Sequence, residues 1–419
     1  MHVIRPIDRA FFGLPAEHAP VTGFFFDFLG PPPPFERWRE RVSLRAGRLP
    51  VLARARPSPG ARVWARRGTP LDIDAHVQQA ELPRGAGSLA AAYERLRYLP
   101  LPDAGEPPWD CQLLTGRDGP PGFRVCYRVH HGLQDGVGSA HSALELLADT
   151  PVHGPRLHPP ADPGLGALLR AAWYLAAPLP RLFSARAAPA TAAGGDASRP
   201  CLGHRDVPLA VLRALADGYG VTVNDVCLAA LSLALNAGKR AAGSAAGPAR
   251  DPAGPRSVLT IMSTRRPHER HAPGNHIGAR PLVLPGRAVT LDAAVAAVRR
   301  QTQAVRAEGR DAARVLLGLP WPLGPGPRLL RTLLGPRLHP LATSSITFPE
   351  AFTCFGARLE AASMFMAVGE GSPVYLSFTR TPGTVRCTVV TDTRRPGAAA
   401  LPEEWERVLA GSAGRFDTA

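Results

Sequence analysis

Hydrophobic and polar positions alternate over residues 123–131 and thereby predict a β-strand. Positions 123, 125, 127 and 129 are apolar and His131 continues this series, whereas the positions between them hold two arginines, Cys126 and His130. Side chains two residues apart in a strand point to the same face of the sheet. The pattern therefore places His131 on the apolar, inward face and His130 on a face that it shares with the two arginines.

A tight loop and a helix are predicted directly after this strand. Gly132 and the pair Asp135-Gly136 are turn-forming residues. Apolar residues then recur at positions 137, 140, 144, 147 and 148, which is the spacing of a helix with one buried face. The strand would deliver a histidine at its end, and the loop and helix would hold that histidine in place.

Along the whole chain the pattern predicts two globular halves joined by a linker. Residues 1–150 mix strand-like and helix-like segments, and residues 201–419 form a second half that a loop interrupts at 238–256. Between the halves, residues 151–200 are rich in Pro, Ala and Gly, which marks a boundary. The apolar stretch within this linker predicts a short helix that ends near Pro178.

Composition narrows the class of protein. The chain has 419 residues, 45% of them hydrophobic, and 49 Lys+Arg against 34 Asp+Glu give a formal net charge of +15. Such a composition is globular and excludes wholesale disorder, collagen and a small disulfide scaffold. The arginines are scattered without a basic run or a nucleic-acid-binding module, so no nucleic-acid partner is expected. The charge favours an anionic lipid surface or a phosphorylated substrate.

The cysteines and the N-terminal residues predict a reduced, cytoplasmic protein. The six cysteines form no CxxC pair, and the N-terminal residues lack the apolar core of a signal peptide. The apolar stretch at 171–180 is about half the length that spans a bilayer, so no transmembrane helix is expected.

His131 is the candidate for chemistry. A histidine titrates near neutral pH and acts as a general base when its ring is held in one orientation. The alternative is a core histidine whose hydrogen bonds are satisfied. Asp135 follows too closely in sequence to lie beneath the ring, so we expect it to pair with an arginine, such as Arg265, and brace the loop.

HHGLQDG at 130–136 resembles the HHxxxDG motif of the CoA-dependent acyltransferase superfamily, which includes chloramphenicol acetyltransferase and peptide-synthetase condensation domains. Other segments narrow the resemblance to the bacterial wax ester synthase/diacylglycerol acyltransferase family. In chain order these segments are IRPIDRAFF (4–12), LDIDAHVQQAELPRG (71–85), PPWDCQLLTG (107–116), TVNDVCLAALSLAL (222–235), MSTRR…GNHIG (262–278) and Gly356-Ala357.

Three segments depart from the family pattern. The family's P-L-W motif reads Pro107-Pro108-Trp109, its N-V-P-G-P-like segment has become SSITFPE, and its S-Y-x-G region reads SFTRTPG. Most of these changes lie in the second half, so they bear on the substrate more than on the reaction.

The resemblance implies an α/β fold of the α+β type. Two chloramphenicol acetyltransferase-like subdomains with mostly antiparallel sheets would flank a central active-site tunnel, with His131 midway along it. His131 would be the catalytic base, and hydroxyl groups would donate to the oxyanion. The supporting residues would be His130, Asp135, Gly136, Asn224, Asp225, Trp109 and Arg265, and the oxyanion candidates are Ser344, Ser345 and Thr347.

Several of these positions also have a structural interpretation. Asn224 or Asp225 would cap the helix that follows, since both residue types favour that position, and Trp109 would anchor packing. The histidines at 268, 271 and 276 lack the HExxH pattern, and no metal site is expected there. Residues 313–341 would either form an interfacial lipid-collecting surface or pack over the tunnel.

The resemblance implies an O-acyltransferase that moves a fatty acyl group from acyl-CoA to a long-chain alcohol or diacylglycerol, with no metal or prosthetic group. Peripheral contact with a membrane or lipid droplet would accompany this function. One alternative is a tailoring enzyme that acylates a polyketide, peptide or sugar hydroxyl or amine, with the donor on CoA or an acyl carrier protein. A second is a non-catalytic lipid-binding relative, against which the intact HHxxxDG motif argues.

Overall fold

The computed structural model describes most of the chain. The described ranges are 2–14, 20–58, 60–82, 88–102, 105–159, 161–162, 164–176, 199–242, 256–286, 290–308, 310–318, 332, 338–349, 352–367, 374–393 and 396–413.

The first of two six-stranded sheets has the strand order β2-β3-β4-β1-β10-β9. All neighbouring strands are antiparallel except β2 and β3, which run parallel. Its strands are β1 (Val21–Leu29), β2 (Val77–Glu81), β3 (Trp109–Thr115), β4 (Gly122–His130), β9 (Thr353–Cys354) and β10 (Ala357–Ala367).

The second sheet has the order β5-β12-β11-β8-β6-β7. Strand β8 runs parallel to both of its neighbours, and the other pairs are antiparallel. Its strands are β5 (Pro200–Pro208), β6 (Arg256–Ser263), β7 (Ile277–Leu284), β8 (Leu341–Thr347), β11 (Val374–Arg380) and β12 (Thr384–Asp392).

Twelve α-helices of the described residues accompany these sheets. They are α1 (Pro6–Phe12), α2 (Phe35–Ala46), α3 (Ile73–His76), α4 (Leu89–Arg97), α5 (Gly136–Leu147), α6 (Leu165–Ala176), α7 (Leu209–Tyr219), α8 (Val223–Ala242), α9 (Leu291–Glu308), α10 (Arg310–Gly318), α11 (Pro396–Ala399) and α12 (Leu401–Ala410). The mixed α/β class with two mostly antiparallel sheets confirms the predicted fold class.

The predicted strand, loop and helix around His131 are confirmed. Strand β4 ends at His130, four turn residues carry the chain to Asp135, and α5 begins at Gly136. Both faces of β4 are buried, because Arg124 and Arg128 on the more polar face pair with buried carboxylates. The helix thus starts directly above the end of the strand.

One strand crosses between the two predicted halves. Strand β10 pairs with β1 from Arg358 to Ala367, although the paired positions Val21 and Ala367 lie 346 residues apart in sequence. The predicted division into 1–150, 151–200 and 201–419 therefore does not describe the sheets completely, since residues 353–367 belong to the first sheet. Sequence periodicity identifies a strand but not its partner, which explains the difference.

Helix α8 corrects one predicted boundary. The sequence predicts a loop from residue 238, whereas the helix continues to Ala242 and β6 begins at Arg256. Up to Leu235 the apolar face of this helix is buried against α7, α9 and α12. Helix α6 ends at Ala176 within the described residues, and most of segment 313–341 lies outside them.

Within the described residues no single helix is both long and apolar enough to cross a bilayer. Helix α7 and the segment Val223–Ala237 of α8 meet that length and composition together, with a bend of 97° between them.

Candidate functional site

His131 lies one residue beyond the end of β4 and is held on three sides. Its backbone N–H donates to the Pro20 carbonyl at 2.7 Å, and its ring stacks on Phe11 with 4.4 Å between ring centroids. Its Nδ1 lies 3.0 Å from Oδ1 of Asn275, while Nδ2 of Asn275 donates to the His131 carbonyl at 2.8 Å. Burial lowers the pKa of His131, so the ring is neutral at pH 7.

His130 has a different environment. Its ring stacks on Phe12 at 4.2 Å, almost coplanar, and its Nδ1 accepts a hydrogen bond from the backbone N–H of Gly132 at 3.0 Å. Burial, with a smaller contribution from the charge of Arg56, lowers the pKa of His130 to about 3. Helix α1 packs over the end of β4, where its Phe12 covers the His130 ring.

Asp135 braces the loop through three groups. Its carboxylate caps α5 by accepting from Gly138 N–H at 2.8 Å, and it accepts from His276 N–H at 2.8 Å. Nε of Arg265 lies 3.0 Å from both of its oxygens. Burial alone would raise the pKa of Asp135, but the charge and hydrogen bond of Arg265 hold it well below its usual range. The predicted pairing of Asp135 with an arginine is confirmed.

Arg265 is fully buried, and its two terminal nitrogens donate hydrogen bonds to backbone carbonyls. These belong to Glu269, Ala272 and Gly274, at 2.7 to 2.9 Å. A Cβ at position 138 would lie 2.4 Å from the guanidinium. The first turn of α5 therefore approaches Arg265 only because that position is glycine.

Gly136 brings α5 against the junction of the two sheets. A Cβ there would lie 3.0 Å from the Met364 side chain on β10 and 3.3 Å from that of Ile346 on β8. The loop that holds His131 is thus packed against both sheets.

The three hydroxyl candidates for the oxyanion lie on β8 but not on one face. Ser344 is buried and its hydroxyl lies 2.6 Å from that of Tyr375. Ser345 and Thr347 point to the opposite side, beside the start of α8. Among the described residues, no hydrogen bond joins any of the three to His131. Strand alternation separates residues that are close in sequence.

Asn224 and Asp225 do not cap α8 as predicted. Thr222 is the cap: its hydroxyl accepts from the backbone N–H of Asp225 at 3.2 Å, and the Asp225 carboxylate accepts from the backbone N–H of Thr222 at 3.1 Å. This reciprocal pair is a capping box. Arg306 lies 3.3 Å from the same carboxylate. The structural interpretation holds, but the cap residue is Thr222, and Asp225 takes part as the second member of the capping box.

Trp109 is fully buried, and its predicted packing role is confirmed. Its indole N–H donates to the Leu52 carbonyl at 2.9 Å, and its ring stacks on His76 at 4.4 Å. The histidines of the 262–278 segment have separate surroundings. His268 is exposed, His271 lies 3.7 Å from Glu145, and His276 lies 3.2 Å from Glu269.

Sequence reasoning missed Asn275, which contacts His131, and Asp8, which contacts Asn275. Asp8 is fully buried in the first turn of α1, and its Oδ1 accepts from both N–H (2.7 Å) and Nδ2 (2.9 Å) of Asn275. Both residues lie in segments that carried the family resemblance. Their place in those two segments was the available signal, but no local pattern in the sequence paired the carboxylate with the amide.

A cavity of about 910 Å³ lies beside this loop, between α5, α8, α9 and the second sheet. Of the predicted site residues, Asn224, Asp225, Ser344, Ser345 and Thr347 line it; His131 does not, although Val137 on α5 does. The structure therefore divides the predicted residues into a histidine loop and a cavity wall. A tunnel that joins the two stays a prediction.

The cavity wall is strongly basic. Asp225 is the acidic residue among its described lining residues. Arg280 pairs with Glu308 and Arg306 pairs with Asp225. The lining arginines that form no ion pair with a carboxylate in the described part of the chain are Arg156, Arg270, Arg310 and Arg380.

Residues 27–188 match the family model "Wax ester synthase/diacylglycerol acyltransferase catalytic domain". A Mycobacterium tuberculosis protein named as a diacylglycerol O-acyltransferase is 32% identical over 131 residues, which is 30% of this chain and 27% of that protein. A second protein of that organism, named as the diacylglycerol O-acyltransferase Tgs4, is 30% identical over 82 residues, or 19% of this chain and 17% of its own length. The chain therefore aligns with 27% of the length of the first of these curated relatives and 17% of the second.

Solved structures share the fold over the whole chain. The wax ester synthase/diacylglycerol acyltransferase from Marinobacter aquaeolei VT8 has a TM-score of 0.62 at 19% identity, covering 97% of this chain and 98% of that one. The first condensation domain of the CDA synthetase has a TM-score of 0.65 at 17% identity, covering 99% and 96%. These comparisons confirm the resemblance and the condensation-like fold that the motifs implied.

Proposed function

We propose that this chain, whose residues 27–188 match the wax ester synthase/diacylglycerol acyltransferase catalytic-domain model, is a fatty acyltransferase. It transfers an acyl group from acyl-CoA to the hydroxyl of a long-chain alcohol or diacylglycerol. The observation that carries this proposal is His131 itself. It is a neutral, oriented imidazole in the HHxxxDG loop, which Asp135 and Arg265 lock at the end of β4.

The proposed reaction is a direct transfer. His131 takes the proton of the acceptor hydroxyl as its oxygen attacks the thioester carbonyl, so a C–O bond forms and a tetrahedral oxyanion develops. The C–S bond then breaks and the imidazolium returns its proton to the thiolate, which leaves as a thiol. General-base assistance of this kind contributes ~10²–10⁴ in rate. No redox step occurs, and the chemistry requires no prosthetic group.

The basic cavity supports a phosphate-bearing donor. Arginine presents several N–H donors that match phosphate oxygens in geometry and charge. Arg270 and Arg310 line the cavity wall beside α5, which begins in the HHxxxDG loop. In this proposal the phosphates of CoA bind there, and the acyl thioester extends toward His131.

Contact with a lipid surface is part of the same proposal. Helix α6 carries Leu165, Leu169 and Trp173 at intervals of four residues, and these side chains are 71%, 63% and 64% exposed. Residues four apart share one face of a helix. An apolar stripe on a protein of net charge +15 fits an anionic membrane or lipid-droplet surface, from which a lipid acceptor would come.

A tailoring acyltransferase with a donor on an acyl carrier protein is the second candidate. The observation in its favour is that the condensation domain matches this fold as well as the wax ester synthase does, with TM-scores of 0.65 and 0.62. The departures in SSITFPE and SFTRTPG also lie in the second half. The basic cavity is suited to phosphopantetheine in either case.

The test is acyl transfer by the purified protein with a panel of acyl-CoA and acyl-carrier-protein donors. Acceptors would be hexadecanol, dioleoylglycerol and short hydroxy or amino compounds, with thiol release followed and products identified by mass. Wax ester or triacylglycerol from the wild type and not from His131→Ala would support the lipid function. Product only from carrier-protein donors or small acceptors would select the second candidate. Equal product from both proteins would rule out His131 as the base.

A further inference from the structure

The amide of Asn275 lies between the carboxylate of Asp8 and the ring of His131. Asn275 comes from the loop before β7, 144 residues after His131, and Asp8 comes from α1. Both are buried, with exposed fractions of 2% and 0%. Two distant segments thus meet at the catalytic histidine.

Hydrogen-bond partners fix which way this amide points. Nδ2 of Asn275 lies 2.9 Å from Oδ1 of Asp8 and 2.8 Å from the His131 carbonyl. Both partners are acceptors when the carboxylate is ionised, so this atom must be the NH₂ group. The amide oxygen therefore faces Nδ1 of His131, at 3.0 Å.

The amide oxygen, together with the His131 backbone carbonyl that the ring also contacts, fixes the proton on the imidazole. The amide oxygen can only accept, so Nδ1 of His131 must carry a hydrogen and Nε2 must carry the lone pair. Nε2 with a lone pair is the form that can remove a proton from an acceptor hydroxyl. A free neutral ring would exchange between its two tautomers, and only one of them leaves Nε2 available.

Asp8 is held so that it cannot turn away from Asn275. Its second oxygen accepts from the backbone N–H of Arg5 at 2.8 Å, and the Arg5 guanidinium donates to the Asn275 carbonyl at 2.6 Å. Gly274 has φ +85°, and a Cβ there would lie 2.6 Å from the Asp8 carboxylate. The backbone of Arg5 therefore donates to this carboxylate, and the missing Cβ of Gly274 leaves space for it.

We infer that Asp8 and Asn275 are positioning residues which hold His131 as its Nδ1–H tautomer. The tautomer exists without substrate, so it does not depend on the proposed function. Only its effect on acyl transfer rests on that function. Asp8 orients the amide, the amide orients the ring, and neither residue touches the reacting atoms.

The tautomer is measured directly by ¹H–¹⁵N NMR of protein labelled at histidine, with His131→Gln used to assign the signals. In the wild type at pH 7.5 we expect a protonated Nδ1 and an unprotonated Nε2. In Asn275→Ala we expect the two tautomers of His131 to mix. A wild-type ring protonated at Nε2, or an unchanged ring in Asn275→Ala, would overturn the inference.

Kinetics provide the second measurement. We expect Asn275→Ala to lower kcat by roughly 10²-fold, as misplacement of a catalytic group does, with KM changed less than kcat. Asn275→Asp keeps an acceptor for Nδ1–H but sets two carboxylates side by side, and adding Asp8→Asn should recover part of its lost kcat because one amide–carboxylate pair is restored. A double variant no better than the single one would contradict the inference. Asn236→Ala, at another buried asparagine remote from this loop, is the matched control.

A failure of the proposed function and a failure of the tautomer inference give different experimental results. Wild-type protein without acyl transfer would remove the proposed function and leave the NMR result to decide the tautomer. If Asn275→Ala does not fold, the wild-type spectrum and the Asp8→Asn/Asn275→Asp pair still test the inference.

Discussion

Asp135 is a single carboxylate on which the His131 loop depends. It joins the start of α5, the backbone of His276 and the guanidinium of Arg265. Among the residues that the structure describes, Asp135 and Arg265 form an ion pair only with each other, and both are buried. Removal of one member would leave a buried charge without its counter-ion.

Asp135→Asn should therefore lower the free energy of unfolding by about 3–5 kcal/mol, the usual cost of breaking a buried ion pair from one side. Because the pKa of Asp135 is depressed in the folded state, its stabilisation is present above the unfolded value of 3.8 and declines as the pH falls below it. Urea unfolding at pH 7 and at pH 3 measures both effects. Asp74→Asn, at an exposed pair with Arg39, is the control, and an equal effect of the two substitutions would contradict the prediction.

Two groups bear on the pH dependence of activity: the His131 ring, and the Asp8 carboxylate that holds it through Asn275 and whose pKa burial raises to about 6. Since burial lowers the pKa of the His131 ring below 6.5, the neutral base is already present at pH 7. We expect kcat/KM to be flat on the alkaline side of neutrality and to fall on the acid side with a midpoint below pH 6.5. A pH profile of thiol release, corrected with His131→Ala, measures this. A midpoint above pH 6.5 would mean that another group controls the rate.

At the scale of secondary-structure elements, helices α9 and α10 form the part of the cavity wall that carries the proposed donor site. Arg310 donates to the Ser263 carbonyl at 3.0 Å, and burial and the charge of Arg156 both lower its pKa, which indicates a concentration of positive charge. A phosphate group would neutralise it.

Arg310→Ala should raise the KM for acyl-CoA roughly tenfold, because a hydrogen bond to a charged group contributes about 1.5–3 kcal/mol. KM for an acyl-N-acetylcysteamine thioester, which has no phosphate, should stay the same. Arg205→Ala, at an exposed arginine beside Glu406, is the matched control. Equal increases with both donors would contradict phosphate binding.

Helix α6 is the element proposed to meet lipid. Trp173→Glu with Leu169→Glu should abolish cosedimentation with phosphatidylglycerol vesicles, since it replaces two apolar contacts with charges that an anionic surface repels. Leu44→Glu, at an exposed leucine on α2, should bind as the wild type does. Binding by all three proteins would place the lipid contact elsewhere.

At the scale of the whole molecule, the halves are interlocked. Strand β1 pairs with β10, and the rings of Phe24, Phe26 and Phe28 contact Phe348 or Phe352 at 5.1–5.4 Å. Arg386 on β12 also bonds Asp27 in β1.

A fragment of residues 1–198 should therefore not fold as a monomer, because it would leave the apolar edge of β1 unpaired, and such edges aggregate. Co-expression with residues 199–419 should return soluble protein. Size-exclusion chromatography and circular dichroism of each sample make the comparison. A monomeric, folded 1–198 fragment would show that the first sheet does not need β10 from the second half of the chain.

The sequence alone determined the features that depend on neighbouring residues. Alternation predicted β4, helical spacing predicted α5, and the cost of a buried carboxylate predicted an arginine for Asp135. Ordered motifs indicated the family and the fold class. These inferences held because each rests on local periodicity, or on a chemical requirement that any partner could meet.

Tertiary structure alone decided which distant groups meet. The paired atoms of Asp8 and Asn275 lie 267 residues apart, and strand alternation sends Ser345 and Thr347 away from Ser344. The stacking of His130 on Phe12 and the pairing of β10 with β1 were likewise set by topology. Periodicity specifies which face of an element is buried, but the residue that covers that face depends on how the complete chain folds.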